Sequence, residues 1–261
     1  MAIDLDGTLL TSSGVVTPRT IRAVRGAQAA GAEIALISAR PPQSIEEIRA
    51  TIGATGAVSA YNGALCYEPS AARPLYEATL TAADAWAAIA IGREAGLHVS
   101  LYVGRLWLVE HLDAAARREA AATAMWPEVV RDLRVAAARG AHKVLLVGPE
   151  PDLTAARQLI ALTLPTATAV GSLPRYLEVV SSATSKGVAL HALADHRGVP
   201  RGAILTIGDG QNDIAMFAEA GRTVAMGNAA ATVREAAAIV APTNDEDGVA
   251  WALEHLVASD G

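Results

Sequence analysis

A single cysteine, Cys66, and a single phenylalanine, Phe217, stand in a chain of 261 residues. One cysteine excludes an intrachain disulfide and any zinc site built from cysteines. Aromatic residues make up only 4% of the chain, so its interior has to be assembled from Ala, Val, Leu and Ile. No apolar run approaches the roughly 20 residues that a membrane-spanning helix needs. The longest candidates, Ala85 to Gly92 and Lys143 to Pro149, are bounded by charge or proline and are sized for a core. The opening, Met1 to Gly7, lacks the basic and apolar regions of a secretory leader, so a cytoplasmic location is expected. A cationic excess is missing as well: 21 Lys and Arg against 27 Asp and Glu leave a net charge of −6. Such a chain has no general attraction for nucleic acid or an anionic membrane, although a small anionic molecule can still find a local basic site. Intrinsic disorder is excluded, because hydrophobic residues reach 52% and charged residues only 18%.

What the chain does have is alternation. Short apolar runs predict strands at Met1 to Leu5, Glu33 to Ser38, Gly56 to Ala60, Ala203 to Gly208, Arg222 to Met226 and Ala238 to Ala241. Amphipathic, Ala-rich stretches between them predict helices near 18–31, 43–53, 185–198, 211–220, 229–236 and 247–257. Strand–helix alternation implies an α/β fold with a Rossmann-like parallel-sheet core. The middle is patterned differently. A helix near 81–96 precedes Leu97 to Val103 and Arg105 to Glu110, separated by Gly104, which is a hairpin pattern. Helices near 112–124 and 151–163 and strands at His142 to Val147, 166–171 and 175–180 complete an α+β insertion. The division expected is a core of 1–80 and 185–261 with an inserted domain at 81–184, joined through Thr79 to Thr81 and Ser182 to Ser185. Nothing in the pattern sets an oligomeric state.

The residues that carry chemistry fall at strand ends. In Asp4-Leu5-Asp6-Gly7-Thr8-Leu9-Leu10, two carboxylates two residues apart in an extended strand point to one face. They repel unless a cation or proton intervenes, and Gly7 allows the sharp turn that follows. The competing reading is a solvated strand-end loop. Gly208-Asp209-Gly210-Gln211-Asn212-Asp213 follows another strand, with Asp209 at its C-terminal end and Asp213 four residues on. Oxygen ligands without His or Cys select a hard ion, Mg²⁺ above others; a calcium-like structural loop or a helix N-cap is the alternative. Ser38, after the strand Ile34 to Ile37, offers a hydroxyl and free N–H groups suited to phosphate. Lys186 opens a helix, where the macrodipole disfavours a cation unless an anion is near; a solvated lysine is the plainer reading.

In this order the four pieces resemble the haloacid dehalogenase-like hydrolase superfamily, most closely its Cof-type sugar-phosphatase branch. Asp4 to Leu10, Ser38, Lys186 and Gly208 to Asp213 match its four motifs. Asn62-Gly63, Ala225 to Ala229, Thr243-Asn244 and Glu246 to Val249 match further elements of the branch. One departure is Ser38-Ala39-Arg40, where the family usually has Thr-Gly-Arg; Ser keeps the hydroxyl, and Ala39 matters only if that residue needs a positive φ.

The resemblance implies a hydrolase acting through an aspartyl-phosphate. Asp4 is the implied nucleophile and Asp6 the implied acid and base. Ser38, Lys186 and Asn212 are the implied phosphate ligands. Mg²⁺ is implied on Asp4, the backbone carbonyl of Asp6, Asp209 and Asp213. The 81–184 insertion takes the place of the family's large α/β cap, which reads the leaving group. Candidate readers are Arg40 and Asn62 on the core and Tyr102, Arg105, Trp107 and Arg175 on the insertion, each also explicable as an ordinary surface or packing residue. Dehalogenases of the superfamily lack a residue equivalent to Asp6, because a halide leaves without a proton, so Asp6 favours phosphoryl chemistry. The expected substrate is a small phosphorylated metabolite, a sugar phosphate or phosphorylated cofactor. A phosphomutase sharing the aspartyl-phosphate and a non-catalytic phosphometabolite-binding protein are the alternatives.

Overall fold

The computed structural model describes residues 1–123, 125–171 and 175–256. Its contacts divide into two compact units. One comprises Met1–Ser38, Ile45–Tyr76 and Ser185–Gly261; the other comprises Ala39–Ser44 and Glu77–Thr184.

The chain begins β1 (Ala2–Ile3), α1 (Pro18–Ala29), β2 (Ala35–Ile37), α2 (Pro42–Ile52), β3 (Val58–Ala60), β4 (Leu65–Tyr67) and β5 (Tyr76–Glu77). It continues through α3 (Ala82–Glu94), β6 (His98–Val103), β7 (Leu106–Val109), α4 (Ala114–Thr123), β8 (Glu128–Val129) and α5 (Leu133–Ala137). Then come β9 (Lys143–Val147), α6 (Glu150–Thr163), β10 (Ala167–Gly171) and β11 (Tyr176–Ser181). The last stretch holds α7 (Lys186–Arg197), β12 (Leu205–Gly208), α8 (Ile214–Phe217), β13 (Arg222–Ala225), α9 (Ala231–Ala236), β14 (Ile239–Val240) and α10 (Gly248–Leu256).

An eight-stranded sheet runs β14-β13-β12-β1-β2-β3-β4-β5. Strand β1 is parallel to both neighbours, with Ala2 opposite Thr206 on one side and Ala35 on the other. The pairs β12–β13, β13–β14 and β2–β3 are parallel too, whereas β4 runs antiparallel to β3. Sequence order departs in both directions from β1, which makes its C-terminal end a topological switch point, where ligands bind in sheets of this kind. Small residues let helices lie close on the sheet: Ala2, Ala35, Ala57, Ala189 and Ala225 share one core with Leu190, Leu193, Met216 and Phe217. Helix α1 starts where Thr17 caps Thr20 N–H with Pro18 at its first position.

The second unit carries a six-stranded sheet, β10-β11-β9-β6-β7-β8. Its pairs are antiparallel apart from β7 with β8. Alternation sets its faces. Val99, Leu101, Val144, Leu146, Leu177 and Val179 pack with Ala88, Ile89, Leu133, Leu153 and Ile160 of the helices. Ser100, Tyr102, Trp107, Lys143 and Glu178 take the opposite face and are buried as well.

Four expectations need correction. The first strand ends at Ile3, not Leu5, so Asp4 and Asp6 do not share a strand face; Asp6 lies in a turn bridged to Leu10. The helix expected at 211–220 is a 3-10 turn, Gln211–Asp213, followed by the four-residue α8. Strands β4, β5 and β8 and helix α5 escaped notice because elements of two to five residues establish no period. The parallel sheet therefore has an antiparallel edge. Among the described residues, no helix is long and apolar enough to cross a membrane.

Candidate active site

Three neighbouring strands deliver three residues at their C-terminal ends. Asp4 follows β1, Ser38 follows β2 and Asp209 follows β12. The carboxylates of Asp4, Asp209 and Asp213 converge, with ligand atoms within 4.8 Å of one another. Among the described residues this is the one such cluster of His, Cys, Asp and Glu. Asp4 is 5% exposed and Asp213 fully buried.

Lys186 enters from the first position of α7, after Ser185 caps the N–H of Val188. Its Nζ donates to Asp4 Oδ1 at 2.5 Å and to Asp213 Oδ1 at 2.6 Å, with the side chain 1% exposed. Anions at the helix start explain a cation there. Burial alone would lower the lysine's pKa, but the charges of Asp213 and Asp4 outweigh it and hold the ammonium protonated. The acids behave oppositely. Burial pushes Asp4 well above the usual carboxylate range, against the pull of Lys186, and Asp213 and Asp209 add to the rise. Asp209 is raised too, by burial first and Asp213 after it, although Thr8 opposes this. Three carboxylates thus face one ammonium, and the excess negative charge is what a bound cation would relieve. The donor set is all oxygen, which suits a hard divalent ion.

Backbone geometry fixes the cluster. Gly7 sits at φ 77°, and a Cβ there would fall 2.3 Å from Asp209 Oδ2, so glycine alone lets the loop pass over that carboxylate. Thr8 Oγ1 donates to Asp209 Oδ1 at 2.8 Å. The N–H groups of Asp209 and Gly210 donate to Asp213 Oδ2 at 3.0 and 2.8 Å. Asp213 therefore caps its own turn with one oxygen and holds Lys186 with the other, so the capping and functional readings of this segment coexist.

Ser38 is buried, its N–H donating to Ser59 O at 2.9 Å and its carbonyl accepting from Asn62 N–H at 3.0 Å. Tyr61 and Asn62 both adopt positive φ, 55° and 58°, a strained pair of the kind found at functional turns. Gly63 follows, where a Cβ would meet Ser185 O at 2.2 Å. Asn62 Oδ1 accepts from Asn212 Nδ2 at 2.7 Å, joining that turn to the segment bearing Asp209 and Asp213. Ala39 is not among the residues at positive φ, so replacing the usual glycine introduces no strain there.

Other candidates fall elsewhere. Asp6 is exposed, and its carboxylate is not part of the three-acid cluster. Arg40 donates to Ser44 Oγ at 2.9 Å. Arg105 is exposed in the β6–β7 turn, its carbonyl accepting from Gln43 Nε2. Arg175 is exposed at φ 72°, with Nε 3.4 Å from Gly148 O. Tyr102 and Trp107 are 0% and 2% exposed and stack with ring centroids 5.9 Å apart. Thr8, Asn228 and Asn244 had no role assigned from sequence. Thr8 and Asn228 act on partners more than 200 positions away, and only the fold brings such pairs together.

Acidic residues thus gather, with a buried lysine from α7, at the switch point where a doubly wound α/β sheet binds its ligands. The family model of haloacid dehalogenase-like hydrolases matches residues 1–253, and the chain belongs to that family, in its Cof-type branch. Two curated relatives come from Bacillus subtilis. Phosphatase YwpJ is 29% identical over 98% of this chain and 99% of its own. The 5-amino-6-(5-phospho-D-ribitylamino)uracil phosphatase YitU is 27% identical over 97% and 96%. A haloacid dehalogenase-like hydrolase from Bacteroides thetaiotaomicron superposes with a TM-score of 0.90 at 30% identity, covering 98% of each chain. The protein is accordingly a phosphatase of this superfamily.

Proposed function

We propose that the protein is a Mg²⁺-dependent phosphatase of small phosphorylated metabolites that works through a covalent aspartyl-phosphate on Asp4. The observation that carries this reading is the imbalance of three converging carboxylates against a single buried ammonium. Asp4, Asp209 and Asp213, with the backbone carbonyl of Asp6, would hold the ion. Bound there, Mg²⁺ supplies positive charge between an attacking carboxylate and an anionic phosphoryl group.

The remaining chemistry belongs to the chain. Phosphate monoesters hydrolyse extremely slowly unaided, and a carboxylate nucleophile divides the displacement into two easier steps. Asp4 attacks phosphorus as the bond to the leaving oxygen breaks. Asp6, exposed beside the buried nucleophile, donates a proton to that oxygen and then takes one from the water that releases phosphate. Ser38, Lys186 and Asn212 hold the phosphoryl oxygens, Lys186 as a point charge already fixed between two carboxylates. The unit built on Ala39–Ser44 and Glu77–Thr184 serves as the cap that excludes water and reads the leaving group, with Arg40, Arg105 and Arg175 as its candidate contacts and Asn62 as the candidate on the core. A relative whose name specifies a phosphoribityl compound supports a small phosphorylated metabolite as substrate.

The test is phosphate release from p-nitrophenyl phosphate and from a panel of phosphorylated metabolites, with Mg²⁺ and with chelator. Turnover that requires Mg²⁺ and is abolished in Asp4→Asn is expected. Chelator-resistant turnover, or a fully active Asp4→Asn protein, contradicts the proposal.

A further inference from the structure

The exposed Asp6 raises a question of placement. A buried acid is fixed by its packing, and Asp4 is held in this way. Asp6 is not buried, yet general acid catalysis requires its carboxylate to stay within hydrogen-bond reach of the leaving oxygen. Its backbone is bridged to Leu10 across the turn, and Leu10 N–H donates to Leu5 O at 2.9 Å. Two asparagines from the far end of the chain clamp both sides of this bridge. Asn228 Nδ2 donates to Gly7 O, the carbonyl next after Asp6, at 2.8 Å. Asn244 Nδ2 donates to Leu10 O, on Asp6's bridge partner, at 2.8 Å. The two clamps are themselves joined, because Asn244 N–H donates to Asn228 Oδ1 at 3.0 Å. The same segment continues the grip along the loop: Asp245 Oδ1 accepts from Ser12 N–H at 2.8 Å, and Asp247 accepts from Thr17 Oγ1. Asn228 is itself seated on a fixed turn, in which Gly227 N–H donates to Pro242 O at 3.2 Å.

We infer that Asn228 and Asn244 are positioning residues that aim the Asp6 carboxylate by clamping the turn that carries it, at the Gly7 carbonyl and at the carbonyl of its bridge partner Leu10. The inference rests on the proposed chemistry. An amide is required at 228 because one residue must donate to Gly7 O while accepting from Asn244 N–H. Aspartate has the same shape and still accepts, but it cannot donate to a carbonyl, and its charge repels that oxygen.

The leaving group makes the test specific. Up to departure of the leaving oxygen, which is what kcat/KM reports for a covalent two-step reaction, a general acid matters for an alkoxide and little for a stabilised phenolate. Asn228→Asp is assayed on glucose 6-phosphate and on p-nitrophenyl phosphate, alone and combined with Asp6→Asn, with thermal melting as a folding check. The expected result is a kcat/KM loss of about tenfold or more on the sugar phosphate and within about threefold on the aryl phosphate. In the Asp6→Asn background no further loss is expected on the sugar phosphate, as for two groups acting as one unit. If Asn228→Asp fails to fold, Asn228→Ser, too short to reach Gly7 O, carries the same comparison. Equal losses on both substrates, additive losses with Asp6→Asn, or unchanged rates would overturn the inference while Asp4→Asn and Asp6→Asn remain impaired. Wild-type kcat/KM on the sugar phosphate in both Asp4→Asn and Asp6→Asn would overturn the proposed chemistry and the inference with it.

Discussion

Buried charge is handled in opposite ways by the two units. In the unit containing Glu77–Thr184, a buried cation meets a single buried anion. Lys143 Nζ meets Glu178 Oε1 at 3.2 Å, both residues nearly inaccessible, and lies 4.7 Å over the Tyr102 ring. His142 Nε2 lies 3.0 Å from Glu77 Oε1, while its Nδ1 accepts from Gly104 N–H at 3.0 Å. In the unit that begins at Met1, three acids crowd one lysine, and burial raises two of them, Asp4 well above the carboxylate range and Asp209 above its ordinary value. Matched pairs satisfy a fold. An imbalance is a standing cost that a structure retains where chemistry or a ligand uses it.

The largest effect belongs to the proposed nucleophile: Asp4→Asn should lower kcat by at least about a thousandfold while the protein still melts cooperatively. Assay and calorimetry on the same preparation check it. Next comes the matched pair. Lys143→Met leaves Glu178 buried without its cation and should destabilise the protein by about 3–5 kcal/mol, measured by urea titration. Lys143→Met combined with Glu178→Leu should recover most of that loss, because no unpaired charge remains. If the double variant is as unstable as the single one, the pair is more than a matched structural contact.

A smaller effect of opposite sign is expected at the site. Asp209→Asn removes one of three repelling charges while its amide oxygen still accepts from Thr8. In chelator the variant should melt about 2–4 °C higher than wild type, and it should need far more Mg²⁺ for activity. A lower melting temperature would mean the acids are not in conflict.

The smallest effect concerns His142. Burial first, against the opposing pull of Glu77, holds its pKa below the ordinary 6.5. The unfolded chain therefore binds the proton more readily, so this contribution is intact above about pH 6.5 and is lost as pH falls through the lower folded value. Unfolding free energies from urea titrations on both sides of that pH, in wild type and His142→Asn, should differ in their pH slope by roughly 1 kcal/mol per pH unit or less. Identical slopes would mean His142 does not titrate with unfolding.

Much of the site could be read before the fold. Asp4, Ser38 and Asp209 follow apolar runs, and strand ends at a switch point are where a doubly wound sheet binds ligands. Lys186 was legible as a cation in an unfavourable place. What failed was local geometry. Asp4 and Asp6 looked like neighbours on a strand, but the strand stops at Ile3 and the turn separates a buried acid from an exposed one. The helix expected after Gly210 is interrupted because Asp213 turns back to accept from Asp209 and Gly210. Thr8, Asn228 and Asn244 were present in quoted motifs but silent, since their meaning lies in partners 201, 221 and 234 positions distant. In the second unit, Tyr102 and Trp107 lie buried and stacked on each other, which was not legible because an aromatic in an alternating strand gives no sign of which face will be covered.

The account turns on Asp4 as the atom donor to phosphorus, and the most direct measurement is intact-protein and peptide mass spectrometry of the Asp6→Asn variant quenched during reaction with p-nitrophenyl phosphate and Mg²⁺. With the second step slowed, a single phosphoryl group should accumulate on the peptide containing Asp4, disappear in hydroxylamine, and be absent when Asp4→Asn is added. A variant that releases p-nitrophenolate with no adduct on that peptide, or with the adduct on another residue, would contradict the account.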